Sequence, residues 1–159
     1  MTWFVRNMRD VQWYDAGRFG VYGDFEQGEP FPEFGFNFGV VWPGQPNAVY
    51  HREDHQEGFL VLSGECLLIV EGEEHTLKQW DYFHCPAGVA HILVGAGEGP
   101  AFVVAVGGRV GPGDPVYPVD PVALKHRAGV EEETTSWAGA YGSLKPEPIP
   151  FREEFLPDS

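Results

Sequence analysis

The hydrophobic rhythm of the chain changes twice along its length. From Phe34, the residues Phe34, Phe36, Phe38, Val40 and Trp42 recur at every second position, the period of a half-buried strand. Pro43-Gly44-Gln45-Pro46 then supplies a turn. Further short runs follow at residues 48–51, 59–63, 66–70, 75–77, 82–85, 91–94 and 101–106, punctuated by Ser63-Gly64 and Glu71-Gly72-Glu73. Eight short strands at this spacing predict an all-β barrel or sandwich. The run at 66–70 is apolar without alternation, as in a buried helix, but its length and the flanking Gly64 and Gly72 favour a strand.

Outside that region the rhythm is lost. Residues 1–33 mix aromatics with glycines and charges, and the expectation is an irregular, loop-rich N-terminal arm whose aromatics pack on the body or on a second subunit. After Gly107-Gly108, Gly111-Pro112-Gly113-Asp114-Pro115 reads as a linker. A short helix is expected over residues 122–127 with Gly129 near its C-cap, and an extended tail over 145–150. The expected organisation is a single domain over 1–159, with a barrel core at 34–107, an arm at 1–33 and a C-terminal extension at 108–159.

Composition narrows the partners more than the fold. At 159 residues the chain can bury a core without disulfides, and its 21 glycines and 14 prolines interrupt long helices. A net charge of -14 and a pI of about 4.6 argue against nucleic acid and anionic membranes. A small-molecule ligand remains compatible, because a bound cation reverses the sign locally. Cys66 and Cys85 form neither a CxxC pair nor a disulfide framework. The segment Met1-Thr2-Trp3-Phe4-Val5-Arg6 lacks an apolar core, and no stretch reaches membrane-spanning length, so a cytoplasmic location is expected.

Chemistry concentrates in Tyr50-His51-Arg52-Glu53-Asp54-His55-Gln56-Glu57, where five potential metal ligands fall within seven positions. On an extended chain, positions 51, 53, 55 and 57 share one face. Imidazoles and carboxylates on a buried face need partners, so the segment is either solvated or faces a cation. A second signal is Pro86-Ala87-Gly88-Val89-Ala90-His91, which sets a histidine after a turn at the start of an apolar strand. Leu93 shares the His91 face, which is expected to point inward. Asp81 reads as a turn residue, His75 and His84 as surface or strand-face residues, and Cys66 as a small buried hydrophobe. Cys85 has the same reading, with the pocket wall as its alternative.

These two segments resemble the paired motifs of the cupin superfamily, in its small single-domain bacterial form. The first motif runs His-x-His, then three or four residues, Glu, six residues and Gly; His51, Glu57 and Gly64 fit it. The second runs Pro-x-Gly-x-x-His, and Pro86, Gly88 and His91 fit it. The resemblance spans residues 34–107 and implies a double-stranded β-helix, or jelly-roll barrel, that commonly forms homodimers. It also implies that His51, Glu57 and His91 hold a divalent metal ion. The second histidine of His-x-His is Glu53 here, so the fourth ligand is Glu53 by register or His55 by chemistry. Trp80 stands where the second motif usually has glycine before its aspartate, and Gly95 where it ends in asparagine. A site of imidazoles and carboxylates accepts Zn, Mn, Fe, Co or Ni, with availability deciding.

The resemblance implies three classes of function. The first is a metal-dependent enzyme acting on a small organic molecule, of dioxygenase, isomerase or decarboxylase type. The second is a non-catalytic barrel that binds a small ligand. The third is a degenerate structural or dimerisation domain. Fold-level likeness does not choose among them.

Overall fold

A computed structural model describes residues 3–111 and 113–158. Pro112 of the expected linker and the first two residues of the arm lie outside the described residues. Ten strands form two antiparallel sheets: β1 (Gln12–Asp15), β2 (Val21–Asp24), β3 (Phe34–Val41), β4 (Glu57–Ser63), β5 (Glu65–Val70), β6 (Glu73–Lys78), β7 (Tyr82–Cys85), β8 (His91–Ala96), β9 (Ala101–Gly108) and β10 (Glu147–Ile149). The larger sheet has the order β10-β1-β2-β3-β9-β4-β7 and the smaller β6-β5-β8. Two short helices, α1 (Pro121–Lys125) and α2 (Trp137–Tyr141), follow the strands. The fold is mostly β and of the jelly-roll barrel type, as the strand pattern predicts.

Turn chemistry sets the registers. Val70 pairs with Glu73 across Glu71-Gly72, both at positive φ (49° and 78°), the mirror-image turn that suits two-residue hairpins. Gly64, at φ 79°, reverses the chain between β4 and β5; a Cβ there would lie 2.4 Å from the Pro100 carbonyl oxygen. The expected strand at 48–51 is instead a string of single bridges along the free edge of β8, including His51 against His91. It is interrupted because the Asn47 side chain, not the backbone, accepts from the Leu93 amide at 3.1 Å.

Within the smaller sheet β5 and β8 are covered on both faces, whereas β6 is exposed, and this explains the unbroken apolar run of β5. Cys66 and Leu68 pack inward with Val61, Leu93 and Val103. Ile69, with Ile92 and Val94, faces the other way onto Ala123 of α1 and onto Ala128. The larger sheet is likewise covered twice. The regular apolar face of β3 does not look into the barrel: Phe38 and Val40 pack outward against Trp13 and Phe155. The expected irregular arm therefore contains two strands, since Trp13 is fully buried and β1 and β2 extend the large sheet. Short strands at an edge leave too few alternating positions to register as a period.

Candidate metal centre

The residues facing into the barrel from β3 are the small or polar alternates, Gly39 and Asn37, opposite Val103 and Ala105 of β9. They leave a cavity of about 380 Å³, with His51, Glu57 and His91 in its wall. The group spans both sheets: Glu57 opens β4, whereas His91 opens β8 and is bridged to His51 on its free edge. The turn that precedes His91 is tied to the His51 segment, because the Gly88 amide donates to the Glu53 carbonyl at 2.7 Å.

One ligand atom from each of the three side chains lies within 4.8 Å of the other two. Glu57 Oε2 is 3.2 Å from His91 Nε2 and 3.8 Å from His51 Nε2. Ligands held at about 2.1 Å by one ion stand about 3 to 3.4 Å apart, so the spacing suits a shared cation. Both rings are oriented from behind. His51 Nδ1 is 2.7 Å from the Val49 carbonyl and His91 Nδ1 is 3.1 Å from that of Val89. A carbonyl only accepts, so Nδ1 carries a proton in both rings and Nε2 is the ring atom turned to the centre.

The chemistry of the group fits a metal on a second count. Glu57 Oε2 and His91 Nε2 are buried without a hydrogen-bond partner, and their 3.2 Å approach does not have hydrogen-bond geometry. Buried polar atoms left unpaired in this way are costly unless an ion or a shared proton joins them. Burial, followed by the neighbouring His91, lowers the His51 pKa. His91 behaves differently: burial opposes its charge, but the Cys85 sulfur and the Glu57 carboxylate prevail and raise it to about 10. Cys85 Sγ lies 3.2 Å from His91 Nδ1, and the Phe59 ring meets His91 edge-on at 5.1 Å.

The other expected residues sit further out. Glu53 Oε1 is 3.8 Å from His51 Nε2, and burial, then Glu57, raises its carboxyl pKa. His55 stands over Gly108 and Gly113 and is not part of the three-residue group. Arg109 is held at 2.8 Å by Glu26, away from the cavity. Asp81 accepts from the Lys78 amide at 2.8 Å, a turn role. Both cysteines are free and buried, and burial pushes Cys66 up to about 12.

The cavity also has walls that were not foreseen. Phe19 and Tyr22 from the arm, and Trp137 and Tyr141 of α2, complete its mouth. Tyr141 is anchored there, its hydroxyl accepting from the Val49 amide at 3.2 Å. The signal for α2 was present in the sequence: Ser136 as N-cap, aromatics one turn apart, and Gly142 at the end.

Residues 37–107, less than half of the chain, match the family model described as a cupin domain. No curated protein matches the sequence. Among solved structures, a cupin-superfamily sugar phosphate isomerase from Silicibacter pomeroyi is 25% identical with a TM-score of 0.52, over 57% of this chain and 59% of that one. The present chain thus spans about three fifths of that protein's length. The polyketide cyclase RemF from Streptomyces resistomycificus shares the fold at 17% identity and a TM-score of 0.59, over 78% of this chain and 93% of that one. An RmlC-like cupin from Shewanella frigidimarina gives 17%, 0.56, 67% and 91% in the same order. Over residues 37–107 the chain matches the cupin domain, and its fold is that of solved cupin structures.

Proposed function

We propose that the protein is a metal-dependent enzyme acting on a small organic molecule, with His51, Glu57 and His91 holding one divalent ion of the Mn, Fe, Ni or Zn kind. The observation that carries this reading is the pair of buried polar atoms without hydrogen-bond partners, Glu57 Oε2 and His91 Nε2, converging with an imidazole whose tautomer is fixed from behind. When bound, such an ion supplies Lewis acidity toward a substrate oxygen. The chain's residues do the rest. The carbonyls of Val49 and Val89 orient the two imidazoles. Phe59 keeps the inner wall dry, and Glu53, whose Oε1 lies 3.8 Å from His51 Nε2 and whose carboxyl pKa burial raises, holds or passes a proton at that atom. The likeness to a sugar phosphate isomerase supports an enzymatic rather than a purely structural role.

Elemental analysis of purified protein, alongside His51→Ala and His91→Ala, tests the reading. About one equivalent of metal in the parent and its loss in both variants is the expected result. Protein that takes up no metal when supplied with Mn, Fe, Ni and Zn, and whose thermal midpoint is indifferent to all four, would overturn it.

A further inference from the structure

We propose that the ligand of this cavity is a planar aromatic molecule of two or three fused rings carrying an oxygen substituent at one edge, and not a phosphorylated sugar. The proposal deepens the metal-dependent reading and rests on it for the orientation of that oxygen.

Charge gives the first reason. Among the described residues, no lysine or arginine lines the cavity. A phosphate needs cationic side chains or a converging array of amides to replace its water. Arg109 pairs with Glu26 away from the cavity, and Arg18, next to Phe19 in the chain, donates to the Arg127 carbonyl.

The walls give the second. Trp137 and Tyr141 stack with ring centroids 3.9 Å apart and planes 19° from parallel. Trp137 remains 55% exposed although it lines the mouth, so one of the largest apolar rings of the protein is left in water beside the cavity. Phe19 meets Tyr141 edge-on at 5.2 Å, and Phe59 stands in the inner wall. Phe59 stands beside Ala105 on the large sheet, and Gly39 pairs with Val103 on the same face, so small residues leave open space next to the Phe59 ring. Aromatic rings around such a space recognise a flat, apolar ligand through stacking and edge contacts.

Size gives the third. An apolar cavity of about 150 Å³ takes one benzene ring. The volume here, about 380 Å³, therefore suits two or three rings. The metal-ligating atoms of the wall are gathered at His51, Glu57 and His91, and Asn37 and Asn47 add neutral amides elsewhere, so an oxygen that meets the metal belongs at the His51 end.

The test uses the full chain loaded with Mn²⁺ and two probes, 2-naphthol and fructose 6-phosphate, followed by calorimetric titration. Manganese stoichiometry is measured on the same samples by electron paramagnetic resonance. The expected result is saturable binding of 2-naphthol, none of fructose 6-phosphate at equal concentration, and a loss of about 3- to 10-fold in naphthol affinity in Trp137→Ala. Because Trp137 is largely exposed, that variant should keep its thermal midpoint and its manganese. Tighter binding of fructose 6-phosphate than of 2-naphthol, or equal naphthol affinity in Trp137→Ala, overturns the proposal. Stoichiometric manganese with no aromatic binding overturns the ligand class and leaves the metal reading intact. Naphthol binding that depends on Trp137 in protein unable to hold manganese supports the ligand class and removes the metal.

Discussion

Under the metal-dependent reading proposed above, binding at His91 is a competition with a proton. Burial disfavours a charged imidazole there, yet Cys85 and Glu57 raise its pKa to about 10. Below that pH, Nε2 is protonated and must lose its proton before sharing its lone pair. Each pH unit below the pKa costs about 1.4 kcal/mol of apparent affinity, so at pH 7 the cost is ~4 kcal/mol, or about 1000-fold in Kd. His51 adds nothing to this count, because burial and His91 lower its pKa and leave Nε2 free at neutral pH. Affinity should therefore rise about tenfold per pH unit between pH 7 and 9, with about one proton released per ion. Titrating Mn²⁺ into metal-free protein at pH 7, 8 and 9, in buffers of differing ionisation enthalpy, measures both quantities.

The same shift fixes the sign for the metal-free fold. A group raised from 6.5 to about 10 stabilises the native state fully below pH 6.5, and that stability is lost as the pH rises through 10. Metal-free protein should weaken toward pH 10, while metal-loaded protein gains affinity over the same range. Cys85→Ala sharpens the test, because removing the sulfur lowers His91 and should improve metal affinity at pH 7 despite a less filled core. An affinity flat from pH 7 to 9, with no proton released, would refute the reasoning.

Three further substitutions probe the frame around the site. Trp80, 67% exposed, sits at φ 73°, a left-handed conformation costing a side chain about 1–2 kcal/mol. Trp80→Gly should raise the thermal midpoint by about 2–4 °C, and a fall would contradict the strain argument. Gly95→Asn restores the residue usual in the second cupin motif but should destabilise by roughly 3 kcal/mol in urea, since its Cβ would lie 2.3 Å from the Trp42 carbonyl oxygen. Phe155, 2% exposed and 4.9 Å from the Trp13 ring, should cost about 3–5 kcal/mol when changed to alanine; a loss under 1 kcal/mol would mean that the C-terminal segment does not hold the large sheet.

What the sequence disclosed follows from how locally each feature is encoded. Period-two alternation and glycine turns are local, and they marked the strands from Phe34 to Gly108 to within a few residues. The proximity of His51, Glu57 and His91 is not local, and only the resemblance to paired motifs joined them. The departures from those motifs become intelligible in three dimensions. Gly95 is glycine because residues 42–45 run against its Cα, the Gly44 amide donating to its carbonyl at 2.8 Å. Trp80 keeps the left-handed backbone of the glycine it replaces. The tail expected as extended is β10, whereas β1, β2 and α2 escaped notice because each is only four or five residues long, and β1 and β10 hold each other across more than 100 positions, as Trp13 pairs with Ile149.

Those distant partners bear on the site more than their lack of motifs suggests. A barrel whose inner face carries Gly39, Asn37 and Ala105 gives up apolar contact where a small domain can least spare it. The loss is offset on the opposite face of the same strands, where Phe38, Val40 and Phe102 meet Trp13 and Phe155 from the two ends of the chain. Each large aromatic buried there contributes about 1.5–3 kcal/mol without entering the cavity. Stability drawn from outside the barrel leaves room beside its inner core for the cavity in whose wall Glu57 and His91 stay unpaired. The end segments that supply this outer packing also bring Phe19 and Tyr141 to the mouth, where Ala16, Val49 and Tyr117 close a further apolar cluster around them. Arm and tail thus have one physical task on each side of the sheet: on the outer face they hold the large sheet, and at the mouth they wall the cavity that holds His51, Glu57 and His91.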